Sequence, residues 1–146
     1  MPAPIGKLGY GVVLMVGATT AAVTATVHLG GLTNVPPPPF NRDQVDVTNQ
    51  DSPGSREFIP GLADFGEVSM ELNWVPGNAT DLVLQEMTDE DEPRLFTSTF
   101  TQVTPNRICT FSAYLTSFEP GVPIDDKMSA AITLKITGKP VWSNGV

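Results

Sequence analysis

The sequence predicts a mainly β fold: an antiparallel β-sandwich or partly open barrel, with one short α-helix on its flank and a long protruding β-hairpin loop. Three observations carry this. Short runs of apolar–polar alternation recur along the chain. A single short segment combines helical spacing with a capping residue. Glycine or proline stands between most of the runs. With 146 residues the chain reads as one domain, 1–146, able to bury roughly two thirds of the surface its unfolded form would expose.

The N-terminal arm is residues 1–9, and its Lys7 is followed by the apolar run GVVLMVGA, which imitates a secretory signal with a cleavage site near Ala22 or Ala25. Prolines and Gly6 precede that run, and AVTATVHL after it alternates, so two strands at about 11–16 and 21–29 are the better reading. Glycines at 9, 11, 17, 30 and 31 make a poor bilayer span, and no membrane insertion is expected. Pro36 to Pro39 lack backbone donors and form a stiff extended spacer.

Residues 43–75 form the central feature. Val45 and Val47 alternate with Gln44, Asp46 and Thr48, while Val68, Met70, Leu72 and Trp74 alternate with Glu67, Ser69, Glu71 and Asn73. Paired, the two arms make an outsized hairpin, with residues 49–66 as a connection far longer than a tight turn needs. A loop of that length points to a partner.

Pro76-Gly77 then turns the chain, Asn78 or Thr80 caps a helix running to about Met87, and Leu82, Val83 and Met87 supply its apolar face. The acids Asp89 to Glu92 follow where the helix dipole is already negative, as a solvated acidic loop. A calcium site there would need more ligands and a glycine turn.

Strands are predicted at 95–101, 107–117 and 128–137. Cys109, Phe111, Ala113 and Leu115 share one face, as do Met128, Ala130, Ile132, Leu134 and Ile136. Lys135 alone protects the final strand, which is thin cover for an exposed edge and favours assembly. In the C-terminal arm, 138–146, Val141 and Trp142 are expected to meet a neighbouring copy, a fold-back onto the same domain being the alternative.

Sixteen acids oppose eight bases, giving a net charge of −8 without any basic cluster. That excludes a surface that grips nucleic acid by its phosphates, though not one that repels it. Cys109 and His28 are single examples of their kinds, and adjacent acids such as Asp125-Asp126 would point to opposite faces of a strand. With no phosphate loop, zinc spacing or dinucleotide fingerprint, no catalytic, cofactor-binding or metal-ligating residue is assigned and an enzyme is not expected.

The segments DVTN, SPGSREFIPGL and EVSMELNWVPG resemble the central hairpin of tail tube proteins from long-tailed bacteriophages. This family is also found in gene transfer agents and is related in architecture to type VI secretion tubes. The likeness runs from about Gly9 to Trp142. It implies hexameric rings whose hairpins pair into an inner β-barrel and whose stacking makes a hollow tube for passing DNA without tight binding. Arg56, Glu57, Phe58, Ile59, Leu62, Asp64 and Phe65 would then form a ring-stacking loop, Asp46, Glu67 and Glu71 would face the lumen, and Val141 and Trp142 would make the C-terminal contact. Implied partners are the tape measure, tail terminator and distal tail proteins. The implied location is the virion tail, assembled in the bacterial host cytoplasm, with no cofactor. The competing reading is a secreted or periplasmic β-sandwich binding module.

Overall fold

The computed structural model describes residues 10–21 and 24–145. The N-terminal arm expected at 1–9, with Lys7, lies outside the described residues, as does Ala22 of the cleavage-like site.

Eight strands and one helix follow in order: β1 (Val13–Val16), β2 (Val27–His28), β3 (Asn41–Asp46), β4 (Phe58–Asp64), β5 (Glu67–Asn73), α1 (Ala79–Thr88), β6 (Arg94–Phe100), β7 (Arg107–Gly121) and β8 (Ser129–Asn144). Six of them form an antiparallel sheet, β2-β1-β6-β7-β8-β5, curled into a half-barrel, while β3 and β4 form a separate two-stranded sheet. The open-barrel form of the expected fold is the one realised.

The alternation seen in the sequence explains the sheet. Val68, Met70 and Leu72 of β5 are buried while Glu67, Ser69, Glu71 and Asn73 are exposed. Cys109, Phe111 and Ala113 of β7 and Ala130, Ile132, Leu134 and Ile136 of β8 join them in one core. Phe96 of β6 stacks on Phe111 with centroids 5.5 Å apart. The register between β7 and β8 shifts twice, at Thr110/Ser112 and Leu115/Ser117; such irregularities bend a strand and help a sheet curl.

The helix begins where Asn78 caps it, accepting the Asp81 N–H at 2.8 Å. Asp81 in turn accepts from the Gly77 N–H at 2.9 Å and the Trp74 indole at 2.8 Å. These bonds, Gly77 first, hold its carboxyl below the usual range against the opposing effect of burial. Leu84 and Met87 enter the core; Leu82, expected on the apolar face, is exposed. The buried phase of the helix is Thr80, Leu84 and Met87, at the i, i+4, i+7 spacing.

Arg94, 3% exposed, ties three elements together. It pairs with Glu90 and Glu86 of the helix region and donates to the carbonyls of Gly17 and Ala18 at 3.0 and 3.2 Å. Its pairing with Glu90 raises the guanidinium's proton affinity further.

Several expectations change. Of the strand expected at about 21–29, only Val27–His28 is formed among the described residues. The arm at 43–48 does not pair with 67–75: β3 pairs with β4, inside the expected loop, and β5 pairs with β8. The connecting loop is therefore 47–57. Strand β8 is interior, between β7 and β5, so Lys135 guards no edge and instead meets Asp64 at 3.2 Å. On the outer edge of β5, the chain at 31–33 makes a bridge, with the Thr33 N–H donating to Glu71 and the Asn73 N–H to Gly31. Gly31 has φ +79 and a Cβ there would sit 3.0 Å from the Asn73 carbonyl oxygen, so only glycine fits. Finally, Asp125 and Asp126 lie in the β7–β8 turn, off any strand.

Candidate assembly surfaces

The β3–β4 hairpin touches no other strand or helix of the described residues through its backbone. Val45 faces Ile59 across the pair, with Val47 hydrogen-bonded to Glu57, so one face carries Val45, Val47 and Ile59. Asp46 opposes Phe58 and Gln44 opposes Pro60 on the other. All six residues of β3 are exposed, and Leu62 of β4 is 92% exposed.

Polar bonds order the tip. Glu57 N–H donates to the Thr48 hydroxyl at 2.8 Å, Thr48 N–H to Asp46 at 2.9 Å, and the Ser52 hydroxyl to the Glu57 carboxylate at 3.0 Å. The hydrogen bonds from Thr48 hold the Asp46 carboxyl below its ordinary value. At the base, the Asp64 carboxyl is lowered first by the Gly66 N–H and then by Lys135. Phe65 meets Phe40 edge-on at 5.6 Å and packs on the core.

Of the residues expected in one loop, Phe58, Ile59 and Leu62 are exposed on β4, and Arg56 and Glu57 immediately precede that strand. Asp64 and Phe65 belong instead to the joint between hairpin and sheet. The acids Asp46, Glu67 and Glu71 are all exposed but divide between two sheets, Asp46 on the hairpin and the other two on β5.

Trp142 lies within β8 opposite Cys109, stacked on Phe100 at 5.8 Å with the Arg107 guanidinium 5.6 Å from its ring. The fold-back alternative thus describes its position, although 42% of the side chain stays exposed beside an exposed Val141. Beside it opens a groove of ≈ 1090 Å³, lined among others by Tyr10, Val12, Leu32, Val35, Phe100 and Arg107. Sequence reasoning missed this groove, because its walls come from four stretches of chain that share no motif.

Chemical groups are sparse. Burial pushes the Cys109 thiol up to about 11, against a weaker pull from Arg107, and leaves it inert near neutral pH. Among the described residues no cluster of His, Cys, Asp or Glu could hold a metal ion, and no helix is long and apolar enough to cross a membrane.

The family model described as lambda phage tail tube protein matches residues 18–143. The chain belongs to that family. Its members are structural, and the fold described above is shared by several solved tubes. The tail of an empty gene transfer agent particle, refined with C6 symmetry, superposes on this tail tube chain with a TM-score of 0.72 at 18% identity, over 94% of this chain and 99% of that one. The SPP1 tail tube gives 0.68 at 12% identity, over 95% and 80%. The tube-terminating cap of the anti-feeding prophage gives 0.71 at 13%, over 99% and 95%. No curated protein sequence matches significantly.

Proposed function

We propose that this chain builds a hollow tail tube from stacked hexameric rings, and that the β3–β4 hairpin is its main docking element. The supporting observation is a two-stranded sheet with apolar side chains on both faces and no core of its own. Isolated hairpins are marginal in water, and exposed apolar surface of this kind marks an interaction site. Val45, Val47, Phe58, Ile59 and Leu62 anchor the contact, with Arg56 and Glu57 fixing its register. Asp64 and Phe65 set the angle at which the hairpin leaves the domain.

The exposed acids Asp46, Glu67 and Glu71 face the lumen in this reading. Six copies of a chain of net charge −8 line a channel that repels DNA phosphates over about 8–10 Å at physiological salt, so the genome passes without adhering. The tape measure protein occupies the lumen, terminator and distal tail proteins cap the two ends, and assembly takes place in the host cytoplasm before the tube becomes part of the virion. Val141 and Trp142, half-exposed at the sheet surface, contact an adjacent copy.

Negative-stain electron microscopy of concentrated protein tests the reading. Hollow tubes or six-fold rings are expected from the parent, and their loss is expected when Phe58, Ile59 and Leu62 are changed together to serine. Persistent monomers of the parent, together with N-terminal processing at Ala22 or Ala25, would instead favour a secreted binding module.

A further inference from the structure

The β7–β8 ribbon connects two features that the hairpin leaves unexplained. At one end, where β7 starts at Arg107 and β8 finishes at Asn144, the half-barrel is open and forms the ≈ 1090 Å³ groove. Leu32, Val35 and Phe100 there are partly buried extensions of the core. At the other end, the turn at 122–128 displays Val122 and Ile124, the latter 100% exposed, followed by Asp125 and Asp126. Fifteen residues of β7 separate the two ends, roughly 50 Å of strand at about 3.3 Å per residue. A paired ribbon of that length cannot bring its own ends together.

Their chemistry is complementary. Among the described residues Arg107 is the one ionic residue lining the groove, and its guanidinium donates to the neutral Asn144 side chain at 2.9 Å. No carboxylate pairs with it among the described residues. Nearby, the Gln102 side chain donates to the Tyr10 carbonyl while its own Oε1 is buried without a partner among the described residues, a costly state that an incoming donor relieves. The opposite tip offers two apolar side chains, backbone N–H groups and a pair of acids that form no salt bridge among the described residues.

We propose that Val122, Pro123 and Ile124 of one copy enter the groove of another copy, with the Asp125–Asp126 pair facing Arg107. The two surfaces differ and lie at opposite ends of the ribbon, so the contact is head-to-tail, and repeated without closure it propagates an open stack. The inference rests on the tube reading and gives each copy a second contact that is independent of the hairpin.

The test is a cysteine pair, Val103→Cys with Ile124→Cys in one chain, oxidised under tube-forming conditions and run on a non-reducing gel. Val103 lines the groove, and buried Cys109 does not compete. A ladder of linked copies is expected, absent from either single variant. In parallel, Ile124→Asp is expected to raise the concentration needed for tubes at least tenfold with an unchanged melting temperature. Arg107→Glu is expected to act similarly and to be rescued by Asp125→Arg with Asp126→Arg. Normal tubes from Ile124→Asp and no ladder from the cysteine pair would overturn the contact while leaving the tube reading intact. A parent chain that forms no tubes, with no ladder, would overturn both.

Discussion

Strand β5 and the β3–β4 hairpin are neighbours in sequence, and the alternation of β5 recurs briefly at Val45 and Val47, yet they have opposite fates. In β5 the apolar side chains are sealed in the core by β8; in the hairpin Val45, Phe58, Ile59 and Leu62 face solvent on a sheet that meets the rest of the fold only near its base. Periodicity specifies that a segment has two unlike faces. It does not specify whether the apolar face is covered by the same chain or by another.

The contrast can be tested most strongly by truncation on each side of it. Leu134→Ala, in the core beside β5, is expected to cost about 2–5 kcal/mol and to lower the melting temperature by many degrees in calorimetry. Ile59→Ala on the hairpin is expected to leave the monomer's melting temperature nearly unchanged and to weaken tube formation in sedimentation assays. Equal destabilisation of the monomer by both would show that the hairpin is part of the folding unit.

A smaller effect is expected at the helix end of the half-barrel. Arg94→Met removes hydrogen bonds to the Gly17 and Ala18 carbonyls and to two glutamates, a loss of about 2 kcal/mol measurable by urea unfolding. Because Arg94 bonds to Gly17, Ala18, Glu86 and Glu90 and to no hairpin residue, tubes formed at low temperature should look normal.

The pH dependence is smaller still. Asp81 is held below its ordinary value of 3.8 by Gly77 and Trp74, so its ionised form stabilises the folded chain fully above that value. The contribution disappears as the pH falls through the lower folded-state pKa. The melting-temperature gap between the parent and Asp81→Asn is therefore expected to be complete at pH 7 and to close below pH 3.8. A gap that did not narrow as the pH fell below 3.8 would assign the effect to shape instead of charge. The smallest signal is chemical: Cys109, with its thiol near 11, should resist thiol reagents at pH 8 until denaturant is added.

Much of the large sheet was legible because its strands are long enough to show their phase. The buried faces of β7 and β8 follow directly from Cys109, Phe111 and Ala113 and from Ala130 to Ile136, and the Asn78 cap follows from side-chain chemistry. Strand β4 was not legible. Phe58-Ile59-Pro60-Gly61-Leu62 does not alternate and contains the two residues that usually end a strand. Its pairing shifts register between Arg42 and Gln44, where Gly61 lets the Asp43 backbone approach. The continuation of β8 through Trp142 was hidden for a similar reason: Gly138 and Pro140 read as a break, but they fall in a register shift between Thr137 and Val141, where the ladder demands no donor from proline. The candidate surfaces were only half visible, since alternation marked the hairpin's apolar residues whereas the groove depends on distant segments meeting.

The hairpin leaves the domain through two short joints, Phe40 and the Phe65-Gly66 pair, held by the Phe40–Phe65 contact, the Lys135–Asp64 ion pair and the Ile136 N–H on the Gly66 carbonyl. The six-stranded sheet and the projecting hairpin are thus coupled through a narrow joint. If the proposed hairpin contact links the copies, bending of the tube falls on these joints while each subunit keeps its shape, and fluctuations in tube curvature should then grow when Lys135 is replaced by alanine.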